Sequence, residues 1–190
     1  MKKTAGFALT GSFCTFARVI PQMAALVDAG YSVIPIMSAY AYGTDTRFGK
    51  AEDFKEQIRR ITGRDILHTI EETEQIGPHN LLDILVVAPA TGNTLAKMAN
   101  GVNDTAVTMA AKATVRNGRP VLLAVSTNDA LSGCGRNIGQ LLNTRHLYFV
   151  PMRQDDPGKK PTSVVADFAQ IVPAAEAALE GRQLEPLLSE

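Results

Sequence analysis

Apolar and polar positions along this chain follow two periods. Residues Thr4 to Thr10 (TAGFALT) read as a buried strand ending at Gly11-Ser12. Val19, Met23, Leu26 and Val27 then recur at helical spacing, and Gly30 is a natural stop. Pro21 lacks an N–H, so it fits that helix only in the first turn or at a kink. Tyr31 to Met37 (YSVIPIM) is a second strand, which Pro35 makes irregular or places where one ladder bond is missing. A charged helix over Ala51 to Ile61 follows, then an acidic, loop-like stretch over His68 to Asn80 with Glu71, Glu72 and Glu74. Asp83 to Ala88 (DILVVA) is a third strand, apolar on both faces as parallel strands are. Helices over Thr94 to Asn100 and Thr105 to Arg116 lead through Asn117-Gly118-Arg119-Pro120 into a fourth strand, Val121 to Val125. A glycine-rich loop and helix (Ser132 to Asn143), a fifth strand (Leu147 to Val150), a polar loop over 151–162 and an alanine-rich closing helix over 163–180 complete a single domain spanning 1–190. Strands interleaved with helices predict an α/β fold, a parallel sheet covered by helices on both faces.

Composition narrows the function. Hydrophobic residues make up 45% and charged residues 20%, a globular mix that excludes global disorder. With 19 basic and 19 acidic side chains the net charge is zero, so there is no basic excess for nucleic acid. No window approaches the roughly 20 apolar residues of a membrane-spanning helix. Met1-Lys2-Lys3 resembles the basic start of an export signal, but Thr10-Gly11-Ser12 and Arg18 interrupt the apolar run behind it, so export is not expected. Cys14 and Cys134 cannot form a disulfide framework and fit a reducing cytoplasm. No His/Cys/Asp spacing suits a metal.

In parallel sheets ligands bind at the carboxyl ends of the strands, so those ends carry the candidate chemistry. The first ends in Thr10-Gly11-Ser12-Phe13-Cys14-Thr15. Gly11 permits close backbone approach, the helix start offers free amides, and Ser12 and Thr15 add hydroxyls, a combination suited to phosphate. The same residues also make a tight turn with a capping serine. There is no Gly-Lys-Ser/Thr ending of a P-loop, and no G-x-G-x-x-G. No acid falls between Tyr31 and Tyr42 to hold a ribose, which disfavours a dinucleotide. Ser38 ends the second strand as a second phosphate contact or a turn residue. The third ends in Pro89-Ala90-Thr91-Gly92-Asn93-Thr94, where small side chains admit a planar ring and Asn93 meets its polar edge, or where Asn93 or Thr94 caps a helix. The fourth ends in Ser126-Thr127-Asn128-Asp129.

Together, Gly11-Ser12, Ser38, Pro89-Ala90-Thr91-x-Asn93-Thr94 and Asn128 resemble the flavoproteins that include FMN-dependent cysteine decarboxylases and flavin prenyltransferases, over about residues 4 to 150. The runs Thr127-Asn128-Asp129-Ala130-Leu131, Tyr148 to Pro157 and Lys159-Lys160-Pro161-Thr162-Ser163 carry a further resemblance over the whole chain, to the family of dipicolinate synthase B subunits. The resemblance implies a three-layer, Rossmann-like, flavodoxin-type fold, bound FMN and homo-oligomers built from trimers. By carry-over, Gly11, Ser12 and Ser38 hold the FMN phosphate with Phe13 beside them. Pro89, Ala90, Thr91, Asn93 and Thr94 face the ribityl chain and ring, and Asn128 completes the cofactor set. The implied activity is oxidation of a dihydro- or tetrahydrodipicolinate precursor to dipicolinate during sporulation, in the mother-cell cytoplasm. The implied partner is dehydrogenase-like and carries NADP; it is the A subunit of dipicolinate synthase.

The family's decarboxylases carry a histidine in an early helix, whereas His68, His79 and His146 fall here in loops or at a strand edge. Their methionine clamp is also lost at Ser126 to Leu131. Decarboxylase or prenyltransferase chemistry and a non-catalytic scaffold remain as alternatives. A dicarboxylate substrate calls for cations. Arg136 and Arg153 are the chosen substrate-binding candidates, ahead of Arg47, Lys159 and Lys160, although each also suits a solvated surface. Asp155 and Asp156 suit a turn better than a ring-proton acceptor, and Cys134 suits a buried thiol.

Overall fold

The computed structural model describes residues 2–189; Met1 of the basic opening and Glu190 lie outside them. The chain order is β1 (Thr4–Leu9), α1 (Phe16–Asp28), β2 (Ser32–Met37), α2 (Ala39–Gly43), α3 (Ala51–Thr62), α4 (Ile70–Glu74), β3 (Ile84–Ala90), α5 (Gly92–Ala99), α6 (Ala106–Arg116), β4 (Val121–Thr127), α7 (Gly135–Leu142), β5 (Leu147–Phe149), β6 (Met152–Asp156), β7 (Lys160–Ala166) and α8 (Ile171–Leu179). The strands form one seven-stranded sheet in which β2, β1, β3 and β4 are neighbours in that order and β5 pairs with β4. These pairs are parallel, giving the flavodoxin-type order 2-1-3-4-5.

Alternate strand residues feed two cores. Phe7, Leu9, Val86, Ala88, Leu122 and Ala124 pack under α1, α3 and α8. Ala8, Leu85, Val87, Leu123 and Val125 pack under α5, α6 and α7. This is the period-two geometry of a strand buried on both sides, and it confirms the expected three layers.

Several elements differ from the sequence reading. The expected polar loop over 151–162 is the hairpin of β6 and β7, and residues 163–166 of the expected closing helix belong to β7. The helix itself is α8, which begins at Ile171 after the tight 3-10 turn Phe168–Gln170. The cause is an open edge. Three-residue β5 covers only Val121–Leu123 of β4, and β7 pairs antiparallel with Ser126 and Thr127 beyond it. An unpaired β4 edge would leave buried amides and carbonyls unsatisfied, and the β-branched Val164 and Val165 suit the strand that fills it. The sheet is therefore mixed rather than wholly parallel.

The acidic stretch contains α4, nucleated by a capping box in which Thr69 accepts from the Glu72 amide and Glu72 accepts from the Thr69 amide. Pro21 lies inside α1, beyond its first turn. β2 is a sheet edge, where Pro35 leaves no internal ladder bond missing and its carbonyl accepts from Leu67 N–H at 3.0 Å.

Candidate functional site

Strand order reverses at β1 and β3, and the chain leaves a cavity of about 790 Å³ at their carboxyl ends. Gly11, Ser12, Cys14 and Thr15 enter it from the β1 end, Thr91, Gly92 and Asn93 from β3, and Ser126 to Asp129 from β4. Arg18 comes from α1, and Asp155, Lys160 and Ser163 to Val165 come from the hairpin. The volume falls in the range of about 300–1,000 Å³ usual for small-molecule sites.

Hydroxyl bonds tie the strand ends together. The Thr10 hydroxyl donates to the Pro89 carbonyl at 2.6 Å and accepts from Thr91 N–H at 3.2 Å, joining β1 to β3. The hydroxyls of Ser12 and Ser126 share a bond at 2.9 Å, joining β1 to β4. Thr91 and Thr94 hydroxyls are 3.1 Å apart. The hairpin is fastened to the same rim, because the Thr162 hydroxyl donates to the Asn128 carbonyl at 2.6 Å and Leu131 N–H donates to the Thr162 carbonyl. Helix geometry leaves the first-turn amides of α5, Gly92 to Thr94, without acceptors inside the helix, beside the cavity.

Gly92 is required by contact, whereas the contact at Gly11 is with an exposed ring. A Cβ on Gly92 would meet Thr127 Oγ1 at 2.7 Å and Asp129 Oδ1 at 2.8 Å. A Cβ on Gly11 would meet the Tyr40 ring at 2.8 Å. The Gly11 surface is thus shielded by an aromatic that is itself 62% exposed, and the ring meets Phe13 edge-on.

The predicted cofactor residues divide. Gly11, Ser12, Thr91, Asn93 and Asn128 line one cavity. Phe13 is buried against Phe16 and Tyr40. Ser38 lies outside the lining and caps α2, accepting from Ala41 N–H at 3.3 Å. Ala90 is fully buried in β3, Pro89 contributes its carbonyl to Thr10, and Thr94 is buried beneath Thr91. These last three support the cavity from behind.

The expected substrate cations lie apart from the cavity. Arg136 lies on α7 and Arg153 on β6, both exposed, and neither lines the cavity. Arg18 and Lys160 do. Lys160 pairs with Asp155 at 2.7 Å, and that hydrogen bond holds its ammonium above the usual lysine range. Arg18 was missed because a lone arginine in an amphipathic helix looks like a solvated face; its signal was its place in the first turn after Ser12.

Among the described residues no histidine lines the cavity. The His68 ring stacks on Tyr42 at 3.8 Å, His79 is exposed in a turn, and His146 precedes β5 with φ 67°. Nor do any His, Cys, Asp or Glu side chains among them cluster as a metal site. Cys134 is buried. Burial first, and then the Asp129 charge, push its thiol up.

Known proteins share this fold. The flavoprotein family model matches residues 1–148. The B subunit of dipicolinate synthase from Bacillus subtilis (strain 168) is 45% identical over 99% of this chain and 94% of its own length. The crystal structure of the corresponding B subunit from Bacillus halodurans superposes with a TM-score of 0.92 at 44% identity, covering 100% of this chain and 99% of the other. The FMN-dependent cysteine decarboxylase SpaF shares the fold, with a TM-score of 0.67 at 21% identity over 94% of this chain and 97% of its own. The chain therefore belongs to the flavoprotein family, with dipicolinate synthase B subunits among its relatives.

Proposed function

We propose that this chain is the flavin-binding component of an oxidoreductase that forms dipicolinate. It binds FMN and acts with a dehydrogenase-like A subunit, which carries NADP, to oxidise a dihydro- or tetrahydrodipicolinate precursor during sporulation. The observation that carries this reading is the convergence of Gly11, Ser12, Thr91, Asn93 and Asn128 on one cavity at the strand-order reversal. These residues offer uncharged amides and hydroxyls, which suit a phosphate monoester and the polar edge of a flavin ring, and Arg18 and Lys160 line the same cavity. The 45% identity to a dipicolinate synthase relative supports the substrate.

When bound, FMN supplies two-electron redox chemistry. The chain's own residues do the rest. Ser12 and the amides around it bind the phosphate. The first-turn amides of α5 and Asn93 orient the ring edge. Thr127 holds Asp129 by a 2.5 Å hydrogen bond, fixing a carboxylate at the rim that can accept a proton as the guest ring loses hydrogen. The hairpin excludes water from one side. Ser38, as the α2 cap, reaches a phosphate only by turning from Ala41 N–H.

The test is co-purification of the chain with its dehydrogenase-like partner, an absorption spectrum for bound oxidised flavin, and precursor-dependent NADP reduction. A colourless chain that refuses added FMN, together with a partner whose rate ignores this chain, would overturn the reading. Assembly into trimer-based homo-oligomers belongs to the same proposal, and sedimentation velocity tests it. Decarboxylase chemistry is less well supported, because the residues that line the cavity include no histidine. No helix among the described residues is long and apolar enough to cross a membrane.

A further inference from the structure

Four charged side chains line the cavity: Arg18, Asp129, Asp155 and Lys160. Three are already satisfied inside the protein. Lys160 and Asp155 pair with each other, and Asp129 accepts from the Thr127 hydroxyl. Arg18 is the exception. Among the described residues its guanidinium makes no ion pair and donates no hydrogen bond; it lies over the Phe168 ring, 5.1 Å from the centroid.

Its position is also unfavourable for the helix that carries it. Arg18 is the third residue of α1, in the first turn, where backbone amides make the helix end positive. A cation there opposes the dipole, and no internal carboxylate compensates for it. Arg18 is exposed, and cation–π attraction to the Phe168 ring favours placing its guanidinium at the cavity wall. An unpaired guanidinium in an unfavourable place at a cavity wall is arranged for a guest's negative charge.

Two anions could claim it, the FMN phosphate and a carboxylate of the substrate, since Ser12 and Arg18 line the same cavity. The phosphate candidates Gly11, Ser12 and Ser38 follow β1 and β2, toward one edge of the sheet. Phe168, over which Arg18 lies, follows the hairpin strand β7 in the chain. We propose that Arg18 anchors a carboxylate of the dicarboxylate substrate, and that it fixes which end of the guest faces the hairpin. A guanidinium meets a carboxylate with two parallel N–H bonds, which lysine cannot reproduce. The assignment rests on the dicarboxylate reading above and adds to it the residue that selects for charge.

The test uses the full-length chain loaded with FMN. Dipicolinate is titrated into wild type, Arg18→Gln and Arg18→Lys by calorimetry, and FMN retention is read from the visible spectrum. Arg18→Gln is expected to keep FMN and to bind dipicolinate about tenfold or more weakly, the effect of losing hydrogen bonds to a charged group. Arg18→Lys is expected to recover only part of that loss. Unchanged dipicolinate affinity in Arg18→Gln overturns the proposal. Loss of FMN from the variant assigns the guanidinium to the phosphate and also overturns it. A wild type that holds FMN but ignores dipicolinate removes the anchor while sparing the flavin site, whereas a wild type that takes neither sinks the functional reading as well.

Discussion

Replacing Gly92 by alanine puts a methyl group 2.7 Å from Thr127 Oγ1 and 2.8 Å from Asp129 Oδ1, well inside contact distance. Both atoms belong to short side chains locked to each other by a 2.5 Å hydrogen bond, so neither yields without breaking it. Losing a hydrogen bond to a charged group costs about 1.5–3 kcal/mol, and the partial exposure of Thr127 and Asp129 favours the lower end. Alanine recovers at most about 1 kcal/mol of helix propensity over glycine, and less than that at the first position of α5. The loss wins, and Gly92→Ala should be destabilised by about 1 kcal/mol. In urea, where small proteins have slopes of about 1–3 kcal/mol per molar, the midpoint should fall by about 0.5 M. The variant should also bind FMN more weakly, because the α5 amides shift with the methyl. Thr127→Ala removes one of the two obstacles and releases the Asp129 carboxylate from its hydrogen bond, so adding Gly92→Ala to that background should cost less than it does in wild type. A midpoint for Gly92→Ala equal to or above wild type would refute the reasoning, since propensity would then be the only term left.

Phe16 is fully buried, with its ring 5.1 Å from both Phe13 and Phe54, so Phe16→Ala should cost about 3–5 kcal/mol in denaturant unfolding. Cys14 is exposed at the cavity and Cys134 is buried with a raised thiol, so an alkylating reagent should modify one thiol in the native protein and both in denaturant. Bound FMN should slow the first; equal rates at both thiols would contradict the structure. The His68 amide first, and then the Thr69 amide, hold the Glu72 carboxyl below its ordinary value of 4.5. A depressed carboxylate contributes stability that is fully present above about pH 4.5 and lost as pH falls through the lower folded value. Melting temperature should therefore fall less steeply below that pH in Glu72→Gln than in wild type.

Much of this fold is legible in the chain, because short buried strands and amphipathic helices advertise themselves by period. β1 to β5 and α1, α3, α5 and α6 follow from the spacing of apolar residues, since a parallel strand must be apolar on both faces and a covering helix on one. The P-A-T-x-N-T run and the glycine-serine turn mark the rim for a similarly local reason: they stand at strand ends, where a parallel sheet presents its ligands, although the same residue types also cap helices, as Ser38 does. The hairpin was hidden because its cause lies elsewhere in the chain. Met152 to Asp156 and Lys160 to Ala166 mix charged and β-branched residues, and they become strands because β5 is too short to cover β4. Only tertiary structure decides which charges meet. It sends Arg136 and Arg153 to solvent, ties Lys160 to Asp155, and leaves Arg18 beside Phe168, a residue 150 positions away in the chain. Period and local turn chemistry act over a few residues and so can be read in order; the field inside a cavity is the sum over groups brought together from distant segments, and only the folded packing fixes it.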